Sequence, residues 1–452
     1  MPPLLLPSAA LLALVGALAG TVTAGGTLGR PGPLYGWYLA DLLLFGLAVA
    51  LLRRVPARRA AALVLAGSLA VAATGLLAPP RTSDDAYRYV WDGRVQAAGL
   101  SPYRYAPDDP ALAGLRTRSP DLFPPAAPCT GWDERRTAAG QCSRINRPAV
   151  PTLYPPVAEG WFLGLHAFGG GVRTVQLGGA LLAVATTGLL LTRRRPVRAA
   201  LWGWCPGVAL WAVNDAHVDA LGALLLVAGL LVAVRGRRAA GGVLFGAAIA
   251  VKLVPVLALP GALSGVLARR PRPRDLLLPG VALATVALAY LPYLALSGTG
   301  VLGYLPGYLR EEGYDRADVE RFGLLRLLLP SALAPYAAAL VLLAVVLHVL
   351  RRGDPAGPWR GALPVTGTAL LLAAPNYPWY GLLVVALVGL DGRWEWLAVP
   401  GAGAVLYLGA GSQPLAYGAA LLVVLAGAAA RRWAAGGRPA VWWAGEGSAG
   451  RE

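Results

Sequence analysis

Lysine is all but missing from this sequence. The chain has 452 residues and 40 basic side chains, and every one of these is arginine except Lys252. Charge of any kind is scarce, at 14% of residues, where a soluble domain carries about a quarter. That shortage excludes an ordinary water-soluble fold. Histidine is limited to three residues, none near Cys129 or Cys142 in the sequence, which argues against a Cys/His zinc module. No glycine-rich phosphate loop opens a helix after a strand, so there is no sign of a soluble α/β domain that would hold a nucleotide sugar.

What the chain has instead is apolar length. Hydrophobic residues make up 56% and the mean hydropathy is +0.56. Runs of about twenty apolar residues recur, long enough to cross a bilayer as helices. The expected fold is an all-α polytopic membrane protein. The first run, "LLLPSAALLALVGALAGTVTAGG" at 4–26, is long enough to span rather than to be cleaved as a signal peptide. A net charge of +17 would suggest nucleic acid in a soluble protein. Here the arginines fall in short clusters between apolar runs, as charge retained on the cytoplasmic side does, and no nucleic-acid partner is expected.

The clusters set the topology. They are Arg53, Arg54, Arg58 and Arg59; Arg193–Arg195 with Arg198; Arg235, Arg237 and Arg238; Arg269, Arg270, Arg272 and Arg274; Arg351, Arg352 and Arg360; and Arg431 with Arg432. Placing all six inside gives about fourteen crossings (twelve to fourteen), with both termini cytoplasmic. The organisation that follows is N-terminal spans at 1–79, a large external loop at 80–155, a core membrane module at 156–296, a second external loop at 297–330 and C-terminal spans at 331–452. Between Arg238 and Arg269 there is room only for a tight hairpin of two short helices, with Lys252 near its outer tip.

The same parity brings Asp84, Asp85, Asn214, Asp215, His217, Asp219, Lys252, Asn376 and Tyr377 to the outer membrane boundary. Ionisable groups at that depth are costly unless partnered and mark a substrate path. Lys252, in "FGAAIAVKLVPVLALP", could snorkel to the interface; as a compact ammonium it could also bind a phosphate. Asp84 could cap the helix that starts near Asp85, or take a proton from an attacking sugar hydroxyl, with the neighbouring carboxylate orienting the acceptor or holding a divalent cation. Tyr87, Tyr89, Trp91, Tyr103 and Tyr105 suit the faces of sugar rings and equally suit an interfacial aromatic belt. His217 between Asp215 and Asp219 reads as a proton-transfer group, a metal ligand or a structural hydrogen-bond partner. His166 and His348 read as structural. Cys129 and Cys142 share one polar segment and could pair in an oxidising compartment.

Taken together, "SDDAYRYVWDGRVQAAGLSPYRYAPDDP", "INRPAVPTLYPPVAE", "NDAHVDALG", "VKLVPVL" and "NYPWY" resemble bacterial membrane glycosyltransferases of the GT-C superfamily. The likeness is to the group around glycosyltransferase family 87, which includes polyprenol-phosphate-mannose-dependent mannosyltransferases, and runs from about residue 80 to 380. It implies a large first external loop carrying the catalytic aspartate, and a polyprenyl-phosphate sugar donor, with mannose the sugar. It also implies a lipid-linked or glycan acceptor and an inverting transfer on the extracytoplasmic face of the plasma membrane. Carried over, Asp84 or Asp85 is the base, with Asp84 preferred. Lys252 meets the donor phosphate, helped by an arginine such as Arg88, Arg94 or Arg321. Asp92, Tyr154, Asn214, Asp215, His217, Asp219, Asn376 and Tyr377 join the aromatic residues as substrate contacts. The chain departs from the superfamily in placing its acidic motif after the third span rather than the first. The competing class is a transporter or flippase of a lipid-linked sugar, which requires ionisable groups near the bilayer midplane and two similar halves.

Overall fold

The computed structural model describes residues 4–125, 128–311 and 321–435. It is an all-α protein whose only strands among these residues are a two-residue hairpin, Arg135–Arg136 paired antiparallel with Cys142–Ser143. Among the described residues, seven helices are long and apolar enough to cross a membrane: Leu5–Ala24, Gly32–Leu52, Ala57–Gly75, Val172–Leu191, the stretch Leu277–Glu311, Ala334–Arg352 and Gln413–Ala434. An eighth candidate is the pair Val208–Asn214 and Asp219–Val234, bent by 111° at its break. Shorter apolar helices run Arg238–Ile249, Val254–Ala268 and Pro378–Asp391.

The expected twelve to fourteen crossings therefore do not appear as that many full-length helices. The apolar runs are there, but Pro206, Pro255, Pro260, Pro378 and Pro400 interrupt them. Each proline removes an amide donor and crowds the preceding turn. Non-helical backbone at membrane depth is tolerated where protein covers it, and the interrupted segments Val208–Asn214 and Leu382–Leu390 are buried throughout. The unbroken spans are the outer ones. Leu277–Ser297 buries only Leu278 and Ala282 and turns Leu283, Leu288 and Leu291 outward, as a lipid-facing helix does. Two short helical segments do lie between Arg238 and Arg269, with Lys252 in the turn between them, but they do not pair as the expected tight hairpin: Arg238–Ile249 packs on Asp219–Val234 and Leu277–Ser297, and Leu259–Ala262 packs on Trp359–Ala373.

Contacts at the helix ends sort the molecule into two poles. At one, Arg193 lies over the Trp359 ring, Arg393 donates to the Arg360 carbonyl at 2.7 Å, Arg431 pairs with Glu395, and Arg238 and Arg269 both pair with Asp275. At the other, the acidic motif meets the break at Asn214–Asp219, the turn at Lys252 and the "NYPWY" segment. The polar segment after Gly75 is built on the second pole. It contains the Asp85–Ala97 helix and the short hairpin, whose base is crossed by a Cys129–Cys142 disulfide with Cα atoms 5.6 Å apart. Residues 312–320 of the expected second external loop lie outside the described residues.

Candidate functional site

The site begins with a break. The helix ending at Asn214 and the one starting at Asp219 are joined through Ala216, which has φ +57°, a conformation rare for residues with a Cβ. Asn214 Nδ2 donates to the carbonyls of Gly75 and Ala78 at 3.0 Å. Asp215 Oδ1 accepts from three successive backbone amides, those of Arg81, Thr82 and Ser83, at 3.0–3.2 Å. Both side chains are buried and fully engaged. They are braces rather than substrate contacts: they fasten the strap that leads into the carboxylate pair.

Asp84 stands just before the Asp85–Ala97 helix but makes no capping hydrogen bond with its side chain. It faces Arg135 instead, at 2.5 Å between Oδ2 and Nη2, an ion pair without hydrogen-bond alignment, and accepts from Asn146 Nδ2 at 3.2 Å. Asp85 accepts from the same Asn146 nitrogen and from Tyr154 Oη at 3.2 Å. His217 Nδ1 is 3.4 Å from Asp85 Oδ2, too far for a good hydrogen bond, and its ring stacks on Trp379 with centroids 3.7 Å apart. One amide nitrogen thus bridges the two carboxylates.

The neighbours push the two acids apart. Burial, reinforced by the charge of Asp85 and only partly offset by Arg135, raises Asp84 to about 6. Burial acts on Asp85 as well, but His217, Lys252 and the Asn146 hydrogen bond outweigh it and lower that carboxyl to about 2. At neutral pH both are ionised, and Asp84 is the stronger base of the two.

Lys252 does not snorkel. Its side chain is 15% exposed, its ammonium pairs with Asp219 at 2.8 Å and sits 4.1 Å from the centroid of the Tyr380 ring. Together with Asp84, Asp85, Arg88, Tyr154 and Tyr377 it lines a cavity of about 570 Å³. Arg88 is 4% exposed; its Nε reaches both oxygens of Asp92 at 3.0 Å and one Nη donates to the Val150 carbonyl at 3.1 Å. Its other Nη is buried with no hydrogen-bond partner.

Several expected contacts fall elsewhere. Tyr87, Tyr89, Trp91 and Tyr103 are buried core residues and do not line the cavity. Tyr89 stacks on Phe162 at 4.4 Å, Trp91 meets Phe123 edge-on, and Tyr103 donates to the Tyr154 carbonyl. They pack the polar segment's own core. Asp92 is a partner of Arg88 behind the wall. Arg94 forms a two-point salt bridge with Asp121 at 2.7 Å; nine residues after Asp85, it lies on the opposite face of the helix. Arg321 donates to the Ala374 carbonyl at 3.4 Å and Asn376 is exposed, neither on the cavity wall. Asp219 acts through Lys252.

Other cavity residues were not singled out by the sequence: Trp132, Arg135, Arg147, Tyr308, Trp379 and Tyr407. Trp379 sits within the "NYPWY" motif, and Arg147 directly follows Asn146 in the proline-rich segment. Tyr308 and Tyr407 come from distant parts of the chain and carry no local signal. No family model, curated protein or solved structure matches this chain.

Proposed function

We propose that the protein is a GT-C-type membrane glycosyltransferase. It moves a sugar, mannose by the resemblance, from a polyprenyl phosphate to a hydroxyl of a lipid-linked or glycan acceptor. The observation that carries this reading is the carboxylate pair with divided acidities, facing the only lysine across one cavity. Asp84, the stronger base, takes the proton of the acceptor hydroxyl. The oxygen bonds to the anomeric carbon as the bond from that carbon to the phosphate oxygen breaks, inverting the centre, and the polyprenyl phosphate leaves as an anion. Lys252 and the unpartnered nitrogen of Arg88 stabilise that anion. Asp85, held ionised by its neighbours, orients the site.

The arginine pole lies in the cytoplasm by the positive-inside rule, which puts the cavity on the extracytoplasmic side of the plasma membrane. The transporter reading has one observation in its favour: Asp41, fully buried within the Gly32–Leu52 helix, with one carboxylate oxygen unpartnered.

The test is sugar transfer in membranes that express the protein, using radiolabelled polyprenyl-phosphate mannose and native lipid acceptors. Label entering a new glycolipid, and lost in Asp84→Asn, is the expected result. Full cellular function of both Asp84→Asn and Asp85→Asn, with no transfer from any lipid-linked sugar tried, would move the assignment to transport.

A further inference from the structure

The cavity has two ends of different character. Asp85 faces the membrane bundle: His217, Trp379 and Lys252 come from the broken helix, the "NYPWY" segment and the turn between the two short helices. Asp84 faces the polar segment, through Arg135 and Asn146. Arg135 and Trp132 both line the cavity and belong to the disulfide-crossed hairpin. Against Trp132, also on the wall, is the turn at Leu28 and Gly29. That turn is fixed beside the acidic motif by two hydrogen bonds with Arg81, one to its carbonyl from Leu28 N and one from its Nε to the Gly26 carbonyl.

This rim is closely fitted. A Cβ on Gly29 would come within 2.7 Å of the Trp132 Cβ, so only glycine lets the hairpin approach so near. The hairpin turn is tied by Thr137 N to the Gln141 carbonyl at 2.8 Å, and its far end by Arg144 N to the Leu122 carbonyl. Arg135 uses one Nη on Asp84, and its second is buried with no hydrogen-bond partner. An indole face and a guanidinium beside the base are the groups that hold a sugar ring by its C–H face and its oxygens.

We infer that Trp132 and Arg135 form the acceptor subsite, and that the acceptor presents a carbohydrate ring whose hydroxyl is delivered to Asp84 from the hairpin side. The inference rests on the transferase reading above and adds to it a division of labour: donor on the bundle side, acceptor on the hairpin side. The disulfide is then part of acceptor binding, because it closes the loop that carries both Trp132 and Arg135.

The experiment separates transfer from donor hydrolysis. Purified full-length protein in nanodiscs receives radiolabelled polyprenyl-phosphate mannose, with and without native glycolipid acceptor. Free sugar reports water as the acceptor; labelled glycolipid reports the true one. Trp132→Ala, Arg135→Gln and the double variant Cys129→Ser/Cys142→Ser are each expected to raise the acceptor KM tenfold or more; hydrolysis and the donor KM stay at wild-type values in Trp132→Ala and in the double variant, whereas Arg135→Gln, which also removes the ion pair of the base, is read on the acceptor KM alone. In Trp132→Ala or the double variant, hydrolysis falling in parallel with transfer, or a donor KM rising instead, would overturn the subsite. Wild-type protein that neither transfers nor hydrolyses would overturn the transferase reading itself. Wild-type transfer combined with unaltered acceptor KM in all three variants would overturn only the subsite. Trp132→Phe, which keeps an aromatic face, is expected to recover most of the acceptor affinity, which a variant damaged only in folding would not.

Discussion

Asp84 and Asp85 are adjacent in the chain and share a donor, the Asn146 amide, yet one titrates near 6 and the other near 2. The difference comes from direction. The peptide between them marks the start of a helix, so one carboxylate looks toward the hairpin and the other into the bundle.

This fixes the acid limb of the pH profile. A base must be ionised to work, so kcat/KM is expected to rise as pH increases through about 6 and then level off. Asp85 raises the pKa of Asp84 by like charge and Arg135 lowers it. Asp85→Asn should therefore move the limb to lower pH, and Arg135→Gln should move it to higher pH. Steady-state kinetics between pH 4.5 and 8 on the three proteins would check the signs, and shifts in the same direction would refute the assignment.

Asp84→Asn is expected to cut kcat by roughly 10²–10⁴, the usual contribution of a positioned base. Asp84→Glu should recover part of it. The same assay in which Asp85→Asn proved the more damaging would exchange the two roles.

Lys252→Ala should lower kcat and raise the donor KM together, since the leaving phosphate carries its charge in both ground and transition states. Lys252→Arg should not restore either value. The ammonium fits between Asp219 and the Tyr380 ring, and a planar, wider guanidinium does not replace a compact charge in such a place. Full rescue by arginine would show that only the charge matters.

Asp215→Ala should act on stability. It would leave three buried amides and the Thr82 hydroxyl without their acceptor, a loss of about 2–4 kcal/mol. A clear drop in thermal unfolding temperature in detergent is expected, whereas Asp41→Asn should leave sugar transfer unchanged. Transfer abolished by Asp41→Asn would give the intramembrane carboxyl a part in the reaction.

Composition made the membrane class legible, because burial in lipid demands long apolar runs. The carboxylate pair and Lys252 were legible because each is an expensive residue at its depth, and the arginine-only background made the lysine stand out. The aromatic residues near Asp84 misled for a physical reason. Tyr89 and Trp91 follow Asp85 on a helix whose other faces pack against Phe162 and Phe123, and nothing in a tyrosine's identity says whether it faces a core or a cavity. The number of full-length helices was overestimated because hydropathy measures apolar length and is blind to where prolines divide it. Tyr308 and Tyr407 reach the cavity only through tertiary packing, which no local window records.

The three amides gripped by Asp215 have a consequence for how such a protein can diversify. The backbone of the strap that carries the base is anchored to the bundle, and the polar segment reaches it only through side chains. The hairpin with Trp132 and Arg135 is closed on itself by the disulfide and tied on by the Arg144 amide to the Leu122 carbonyl. Catalytic apparatus and recognition apparatus meet at the Arg135–Asp84 ion pair: the rest of the hairpin can be recut for a new acceptor, by evolution or by grafting, so long as that one contact with the base is kept.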